Sequence, residues 1–498
     1  MSAVGSIVTN TGALTALNSL TNTTSTTNNL ENQLSTGLSI NSPADNPAGY
    51  ITAQGFTSQI NGLTQAVSNA NQGVSLLQTA DGALTQQVGI VQQLNTIAVQ
   101  AANGTQTSAE SQSLQSETSQ LVSQVSTIAG QTQFNDVNLL NGTFQGVQLQ
   151  VGANEGQTMS LSIGSTMASA IGMWATKAAS GTYKSGANAS SGEVTTGGTG
   201  AFTAGSLSIT GSNGATSTLS GITATESAAS LATAVNDTSS TTGVQAQATN
   251  TITLKAAAGG GSGNYSFKIG AATGAGTSSA SAVGKAVTVN ASSLSELVSQ
   301  INGGTTTNGI SATLNSAGSA VTLTQANGDN IAITAAATSA TSKGLTTTGA
   351  TAAVIGGSTG TASALAQGQV QLQSSGAFST SGTANIGQTT TSKLDSLANI
   401  NVSTTSGAND AMNVIKYALA GLNNQGGQLG AVQQSLTANI NNMNTTSTNL
   451  NSALGVVQDA NIPSVSTKLT EAQIQAQSGV AALKSSTQLQ QAYVSLLP

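Results

Sequence analysis

The sequence predicts an α plus β multidomain protein. Its N- and C-terminal segments pair into a long α-helical coiled-coil base, and β-rich α+β modules are inserted between them. Three observations carry this reading. Apolar residues recur in alternating steps of three and four near both ends of the 498-residue chain. The middle switches to short alternating runs rich in Thr, Val, Gly and Ser. That middle also contains an internal repeat. A chain that leaves a helical base, builds β-rich modules and returns must bring its two ends together.

At the front, Leu14, Leu17, Leu20, Leu30 and Leu34 form a helical stripe, interrupted by a Thr/Asn run at 21–29. "LSTGLSINSPADNPAGY" (34–50) follows and holds two of the four prolines of the chain, so it reads as a turn between helices. Residues 63–98 give the clearest period: Leu63, Val67, Ala70, Val74, Leu77, Leu84, Val88, Val91 and Ala98. Asp81 and Asn95 fall in that same frame where an apolar residue is expected. Leu114, Leu121, Val125 and Ile128 carry a further helix, which "AGQTQFNDVNLLNG" ends with Gly130, Asn135 and Gly142 as breakers.

The C-terminal third repeats the pattern. Ile415, Leu419, Leu422, Leu429, Leu436, Ile440, Met443, Leu450, Leu454 and Val457 share one frame, with Gly426, Gln433 and Ser447 as weak positions. Beyond Pro463 a new frame carries Ala476, Val480, Leu483, Val494 and Leu497. Proline disfavours helix at the residue before it, so Ile462 is expected to mark a break. Each buried Leu or Val stabilises by roughly 1.5–3 kcal/mol, enough for the inner helices to share a core. The outermost segments, 1–35 and 462–498, are richer in Thr, Asn and Gln, whose helix propensity is modest. They are expected to be poorly ordered alone and helical only when packed on one another and on neighbours. On spacing alone, an ordinary intramolecular bundle serves equally well.

Between 155 and 395, "LSITGSNGATSTLSGI", "NTITLKAAAGGG" and "AVTLTQANGDNIAIT" read as strands and turns, with "NG" as a hairpin signal. Val235-Asn236, Gly243-Val244 and Ala246 match Ile301-Asn302, Gly309-Ile310 and Ala312 at constant offset. Both copies read as a short helix, a turn at Gly and then two strands, ending at Ile252-Thr253-Leu254 and Val321-Thr322-Leu323. Two copies imply two small modules, or two halves of one.

Composition narrows the function. Charged residues are 5% and aromatics 2%; Cys and His are absent, and all ten basic residues are lysines. This removes zinc sites of the usual kind, Ser-His-Asp triads and thiol nucleophiles. The acids Asp45, Asp81, Glu110 and Glu117 are scattered rather than paired for proton transfer. No catalytic, cofactor or metal site is expected. A net charge of −6 without a basic cluster argues against a nucleic-acid partner. No stretch approaches the roughly 20 apolar residues that span a bilayer, and "MSAVGSIVTNTGALTALNSL" makes a poor secretory signal.

Taken together, these words resemble those of the bacterial flagellin family. The 34–50 stretch resembles the family turn LSSGLRINSAKDDAAG that joins the terminal helix to the next. "GLTQAVSNANQGVSLLQTADGAL" (62–84), "IAVQAANGT" (97–105), "GQTQFNDVNLLNG" (130–142), "LQVGANEGQTMSLSI" (149–163), "LGAVQQSLTANINNM" (429–443) and "AQIQAQSGVAALKSSTQLQQAYVSLL" (472–497) are similar as well. The repeat resembles the insertion motif of that family.

The resemblance implies a homo-oligomeric subunit of the extracellular flagellar filament. It implies export without a cleaved signal peptide through the flagellar secretion apparatus, with an export chaperone, and assembly beside cap and junction proteins. It divides the chain into an N-terminal assembly helix (1–40), an inner helical part (41–175), a variable outer region (176–395, with repeats at 205–257 and 286–334), a second inner helical part (396–460) and a C-terminal assembly helix (461–498). The assembly positions are then Leu14, Leu17, Leu20, Leu30, Leu34, Val480, Leu483, Val494 and Leu497. The inner seam is Leu63, Val67, Val74, Leu77, Leu84, Val88, Val91, Leu436, Ile440, Met443, Leu450 and Leu454. Ser/Thr runs at 345–365 and 373–393 offer hydroxyls for O-linked glycan, although solvated loops of this composition need none. A hook–filament junction protein and a surface glycan-binding protein are the rival readings. The few aromatics (Trp174, Tyr183, Tyr265, Phe267) speak against the second, and Trp174 reads as a packing residue.

Departures from the family are informative. Its turn Arg is Ser39 here, and its paired acids are Asp45 and Asn46. The charged cluster that a vertebrate toll-like receptor recognises in the family falls on Gln93, Asn95 and Thr96, all neutral. Neither Gln nor Asn reproduces the bidentate fork of Arg. The protein is therefore expected to activate that receptor weakly or not at all; a full response from a reporter cell line would overturn this.

Overall fold

The computed structural model describes residues 10–176, 183–188, 193–198, 202, 204–223, 226–257, 263–272, 286–315, 317–335, 343–347, 354–355, 363–384 and 390–494. Its helices, in chain order, are α1 (Thr11–Thr36), α2 (Pro47–Ala101), α3 (Ser108–Gln131), α4 (Ala228–Asp237), α5 (Ser239–Thr242), α6 (Leu294–Gly303), α7 (Thr305–Asn308), α8 (Thr405–Gln458) and α9 (Ile462–Val494). Terminal helices enclosing a β-rich centre are the predicted class. The chain forms two compact units. One comprises Met1–Gln78, Gln145–Ser162 and Leu429–Pro498, the other Thr79–Phe144 and Ile163–Gln428.

The 55 residues of α2 make a helix about 80 Å long. Its buried face runs Leu63, Ala66, Ala70, Gly73, Leu77, Ala80, Leu84, Gln87, Val91, Leu94, Ala98 and Ala101, in unbroken steps of three and four. This corrects half of the expected seam. Leu63, Leu77, Leu84 and Val91 belong to it, but Val67, Val74 and Val88 are only half-buried, each one residue beyond a seam position held by Ala66, Gly73 or Gln87. Close helix packing selects small residues rather than the most apolar ones. A Cβ on Gly73 would lie 2.5 Å from Leu149 Cδ2 and 3.3 Å from Leu436 Cδ1. The shift also removes the anomaly of Asp81 and Asn95, which are exposed while Ala80 and Leu94 are buried. Gln87, fully buried, donates from Nε2 to the carbonyls of Val125 (3.0 Å) and Thr166 (3.4 Å). On α8, Leu436 and Met443 are buried, whereas Ile440, Leu450 and Leu454 are half-buried.

Polar side chains end the helices. Thr107 and Glu110 form a capping box at the start of α3, which gives one of the scattered acids a structural role. After α3, Asn135 (φ 50°) and Asp136 (φ 62°) turn a short hairpin between Gln133–Phe134 and Val137–Asn138. Between α8 and α9 the break lies at Asp459–Asn461, one step earlier than expected, and Ile462 already begins α9. Asn461 Oδ1 accepts from Ser464 N at 3.2 Å and caps the helix. Pro463 sits in the first turn, where its missing N–H has no carbonyl to serve.

The central region lies within the second unit and shows the repeat in its hydrogen bonds. Asn236 bonds both backbone polar groups of Ala246, and Asn302 does the same to Ala312. Ser227 caps α4 as Ser293 caps α6, and Gly243 and Gly309 share φ values of 68° and 69°. The copies diverge after that. The second copy folds back from Ile310–Leu314 into Ala320–Gln325, while the first continues as one 13-residue strand, Val244–Ala256. The expected second strand of the first copy is the far half of this one, because it lacks the "NSAGS" turn. That strand joins two cores. Val244 and Ala248 pack with Leu207, Ile209, Leu231, Val235 and Leu372, with Trp174 half-buried against them. Ile252 and Leu254 pack with Phe267, Ile269, Leu297, Ile301 and Leu323. It pairs antiparallel with Gln369–Ser374 through its first half and with Ala320–Gln325 through its second. On α8, the Tyr417 hydroxyl donates to Gln245 Oε1 at 3.1 Å, and burial pushes its pKa up to about 12.

The two candidate frames of α2 separate cleanly by mutation. Gly73→Val is expected to destabilise by about 1–3 kcal/mol through overpacking, and Val74→Ala by less than about 1 kcal/mol. Urea unfolding of both variants reads the order, and the reverse order would restore the frame containing Val74.

Candidate functional site

Among the described residues, no group of three or more His, Cys, Asp or Glu is placed to hold a metal ion. No helix among them is long and apolar enough to cross a membrane. The feature that stands out is the pair α1 and α9, which brings together the two ends of the chain.

The pair is antiparallel. At one end Asn10 Nδ2 donates to the Ser486 carbonyl (3.3 Å) and Ser486 Oγ to Asn10 Oδ1 (3.1 Å), while Asn10 also caps α1 through Ala13 N (2.8 Å). At the other end Ser39 N and Oγ both donate to the Gln458 carbonyl, at 2.6 and 3.1 Å, and Ala460 N donates to the Gly37 carbonyl at 2.8 Å. Between these pins, α1 turns Ala13, Ala16, Leu20, Thr23, Thr27 and Leu30 toward its partner, and α9 turns Val465, Leu469, Ala472, Ala476, Gly479 and Leu483. Leu30, Val465 and Ala472 form a buried cluster, and Leu20 Cδ1 stands 3.6 Å from where a Cβ on Gly479 would be.

The 34–50 turn builds the connection. Gly37 ends α1 with φ 75°, a left-handed conformation that side chains resist. The Asp45 carboxylate accepts from Asn41 N (3.0 Å), Ser42 N (2.8 Å) and Ser42 Oγ (3.1 Å). Asn46 Oδ1 then accepts from Gly49 N at 3.0 Å, and Pro47 opens α2. Gly49 leaves room for Ile40, whose Cδ1 lies 2.6 Å from where a Cβ on Gly49 would be. Pro47 and both glycines of the stretch thus have steric or conformational reasons.

Of the expected assembly residues, Leu20 and Leu483 lie half-buried in this seam and Leu30 is buried in it. Leu34 sits at its edge, 39% exposed. Leu14 (53%), Leu17 (48%) and Val480 (53%) face solvent, as do Ile474 and Leu489. Val480 is displaced from the expected seam by Gly479, the same one-residue shift toward a small residue as on α2. The Val494 side chain and Leu497 lie outside the described residues. Within the terminal segments expected to order on packing, the described parts 11–35 and 462–494 are helical and pack on one another. Gln93, Asn95 and Thr96 are exposed on α2. The seam residues that sequence reading missed, Ala66, Gly73, Ala80, Gln87, Leu94 and Gly479, had one available signal: in α2 their frame contains no acid, whereas the apolar-looking frame contains Asp81.

The backbone donors of Ser42 and Asn41 hold the Asp45 carboxyl below the usual carboxylate range. Its contribution is therefore complete above the unfolded value and is lost as pH falls through the lowered folded value. Asp45→Ala is expected to lower stability by a constant amount from neutral to mildly acidic pH. The gap should close only below about pH 4, as read by thermal unfolding across pH; a gap that widens in acid would contradict the assignment.

Comparison with known proteins places this arrangement. The family model described as "Bacterial flagellin N-terminal helical region" matches residues 7–145, and "Bacterial flagellin C-terminal helical region" matches residues 412–497. The B-type flagellin of Pseudomonas aeruginosa is 30% identical over 517 aligned positions, covering 98% of this chain and 99% of that protein. A flagellin of Xenorhabdus nematophila is 39% identical over 158 residues, 32% of this chain and half of the length of that relative. The solved structure of FliC from Burkholderia pseudomallei is 20% identical, covers 73% of this chain and 99% of that one, and has a TM-score of 0.30, too low to carry an argument. With alignment across nearly the whole of both chains to the Pseudomonas protein, this chain belongs to the bacterial flagellin family.

Proposed function

We propose that the chain is a structural subunit that polymerises into the bacterial flagellar filament and serves motility. In this reading α1 and α9 pack with those of neighbouring copies in the filament core, and the β-rich region faces solvent. The observation that carries it is the antiparallel pairing of the two chain ends with Leu14, Leu17, Ile474 and Leu489 left uncovered. Apolar side chains held at helical spacing on uncovered faces gain burial only from another molecule. Contacts that do not close into a ring then grow a helical filament.

The finer parts of the reading follow from family membership. Extracellular placement goes with unfolded export through the flagellar apparatus, an export chaperone, and cap and junction proteins at the growing end. A structural, non-catalytic role accords with a chain without His or Cys. Neutral Gln93, Asn95 and Thr96 accord with weak recognition by the toll-like receptor. Of the runs proposed as glycan carriers, 345–365 falls largely outside the described residues and 373–393 largely within them, and an intact mass equal to the 48.5 kDa sequence value would exclude such glycan.

Negative-stain electron microscopy of the purified protein, seeded with sheared filament ends, tests the proposal. Long filaments are expected, and they should be lost when residues 480–498 are deleted. Persistent monomers of the intact chain would overturn the filament role.

A further inference from the structure

The chain holds seven Asn-Gly pairs, beginning at Asn61, Asn103, Asn141, Asn213, Asn302, Asn308 and Asn327. Such a pair carries a latent reaction. The glycine backbone nitrogen attacks the asparagine Cγ, expels ammonia and closes a succinimide, which water then opens to Asp or isoAsp. Glycine permits it because no Cβ obstructs the swing of the backbone. In a folded chain two conditions decide where it runs. The glycine N–H must be free of an acceptor, and the peptide must have room to turn toward the side chain.

All but one of the pairs fail a condition. Asn61-Gly62 lies within α2 and Asn302-Gly303 within α6, where the helix ladder holds the glycine N–H. Gly214 N donates to the Gly211 carbonyl (3.0 Å), Gly309 N to that of Thr305 (2.8 Å) and Gly328 N to that of Gln325 (3.2 Å). Gly142 lies against Ser165, whose Cβ is 2.9 Å from where a Cβ on Gly142 would be. Thr143 also holds the Asn141 carboxamide oxygen, through its N–H at 3.0 Å and its hydroxyl at 2.7 Å.

Asn103-Gly104 meets both conditions. It lies in the loop between α2 and α3, and both residues are exposed. Among the described residues Gly104 N has no acceptor, and nothing lies within 4 Å of where a Cβ on Gly104 would be. Asn103 Oδ1 accepts from Thr105 N at 3.4 Å. That turn folds the carboxamide forward over the 103–104 peptide.

We propose that Asn103-Gly104 is a site of spontaneous deamidation, where the folded chain converts a neutral amide into a carboxylate as it ages. The new charge adds to a formal net charge of −6. It falls two residues beyond Ala101, the last residue of α2, at the helix pole that disfavours anions. The isoAsp product also routes the main chain through Cβ and Cγ. It thereby takes out of the backbone the Asn103 carbonyl that accepts from Gln106 N at 3.3 Å.

Incubation of the full chain at neutral pH below its unfolding temperature, beside a sample unfolded in urea, tests this. Peptide mass spectrometry reads Asp and isoAsp at each pair. In the folded chain Asn103 is expected to convert at least about fivefold faster than every other pair, since freeing a bonded N–H slows the others. In urea the rates should converge, because every glycine N–H is then free. Gly104→Ala should slow conversion at Asn103, and Asn103→Gln should all but abolish it. Both positions are exposed, so both variants should keep the thermal unfolding of the unmodified chain. Another pair leading in the folded chain, equal rates at all pairs, or an Asn103 lead that persists in urea would overturn the assignment. So would a Gly104→Ala variant that converts as fast as the unmodified chain. The free chain suffices, because this chemistry does not depend on assembly.

Discussion

How closely helix backbones approach one another sets the rest of the helical base. Along α2 the buried positions Ala66, Ala70, Gly73, Ala80 and Ala98 alternate with Leu63, Leu77, Leu84 and Val91. Large side chains fill the space that small ones leave, as dense interiors require. Gly73 admits Leu149 and Leu436 to the α2 backbone, and Gly479 admits Leu20 to that of α9. A side chain at Gly73 would push Leu149 outward, whereas a Cβ at Gly479 would rest in ordinary contact with Leu20. The valines beside them gain less from burial and lie at the flank of the contact.

The second constraint is a near absence of charge. With charged residues at 5% of the chain, neutral amides and hydroxyls satisfy the polar groups that ion pairs serve elsewhere. Gln87 bridges two backbone carbonyls inside the second unit, Asn236 and Asn302 fix a helix to a strand in each repeat, and Asn461 starts α9. Threonines turn back on their own helices. Asp45, Glu110 and Glu296 hold backbone N–H groups at a turn and at two helix starts, where a carboxylate is a better acceptor than an amide. Such contacts are short-range and weakly screened.

The central modules show how duplication tolerates divergence. Both copies keep the capped helix, the left-handed glycine and the asparagine clamp, since each of these depends on one residue with little freedom of type. The turn after the first strand is free to vary. Without it the first copy forms a single strand long enough to enter both cores, and the two modules are joined by backbone pairing instead of by a linker.

The sequence by itself determined the class of this protein, because periodicity survives almost any substitution among apolar residues. It also determined the site of the turn at 34–50, because Gly37, Asp45, Asn46 and Pro47 act through local backbone geometry that neighbours in the chain define. The repeat was legible for the same reason. What the tertiary structure alone decided was which of two adjacent frames faces inward. Val67, Val74 and Val480 outrank Ala66, Gly73 and Gly479 on any scale of hydrophobicity, yet the smaller residues are inside, since the distance between helices is a property of both partners. The division of α1 into a covered face and an uncovered one was decided in the same way. Leu17 and Leu20 are alike in sequence, and only the position of α9 distinguishes the leucine that packs within the chain from the one that faces solvent.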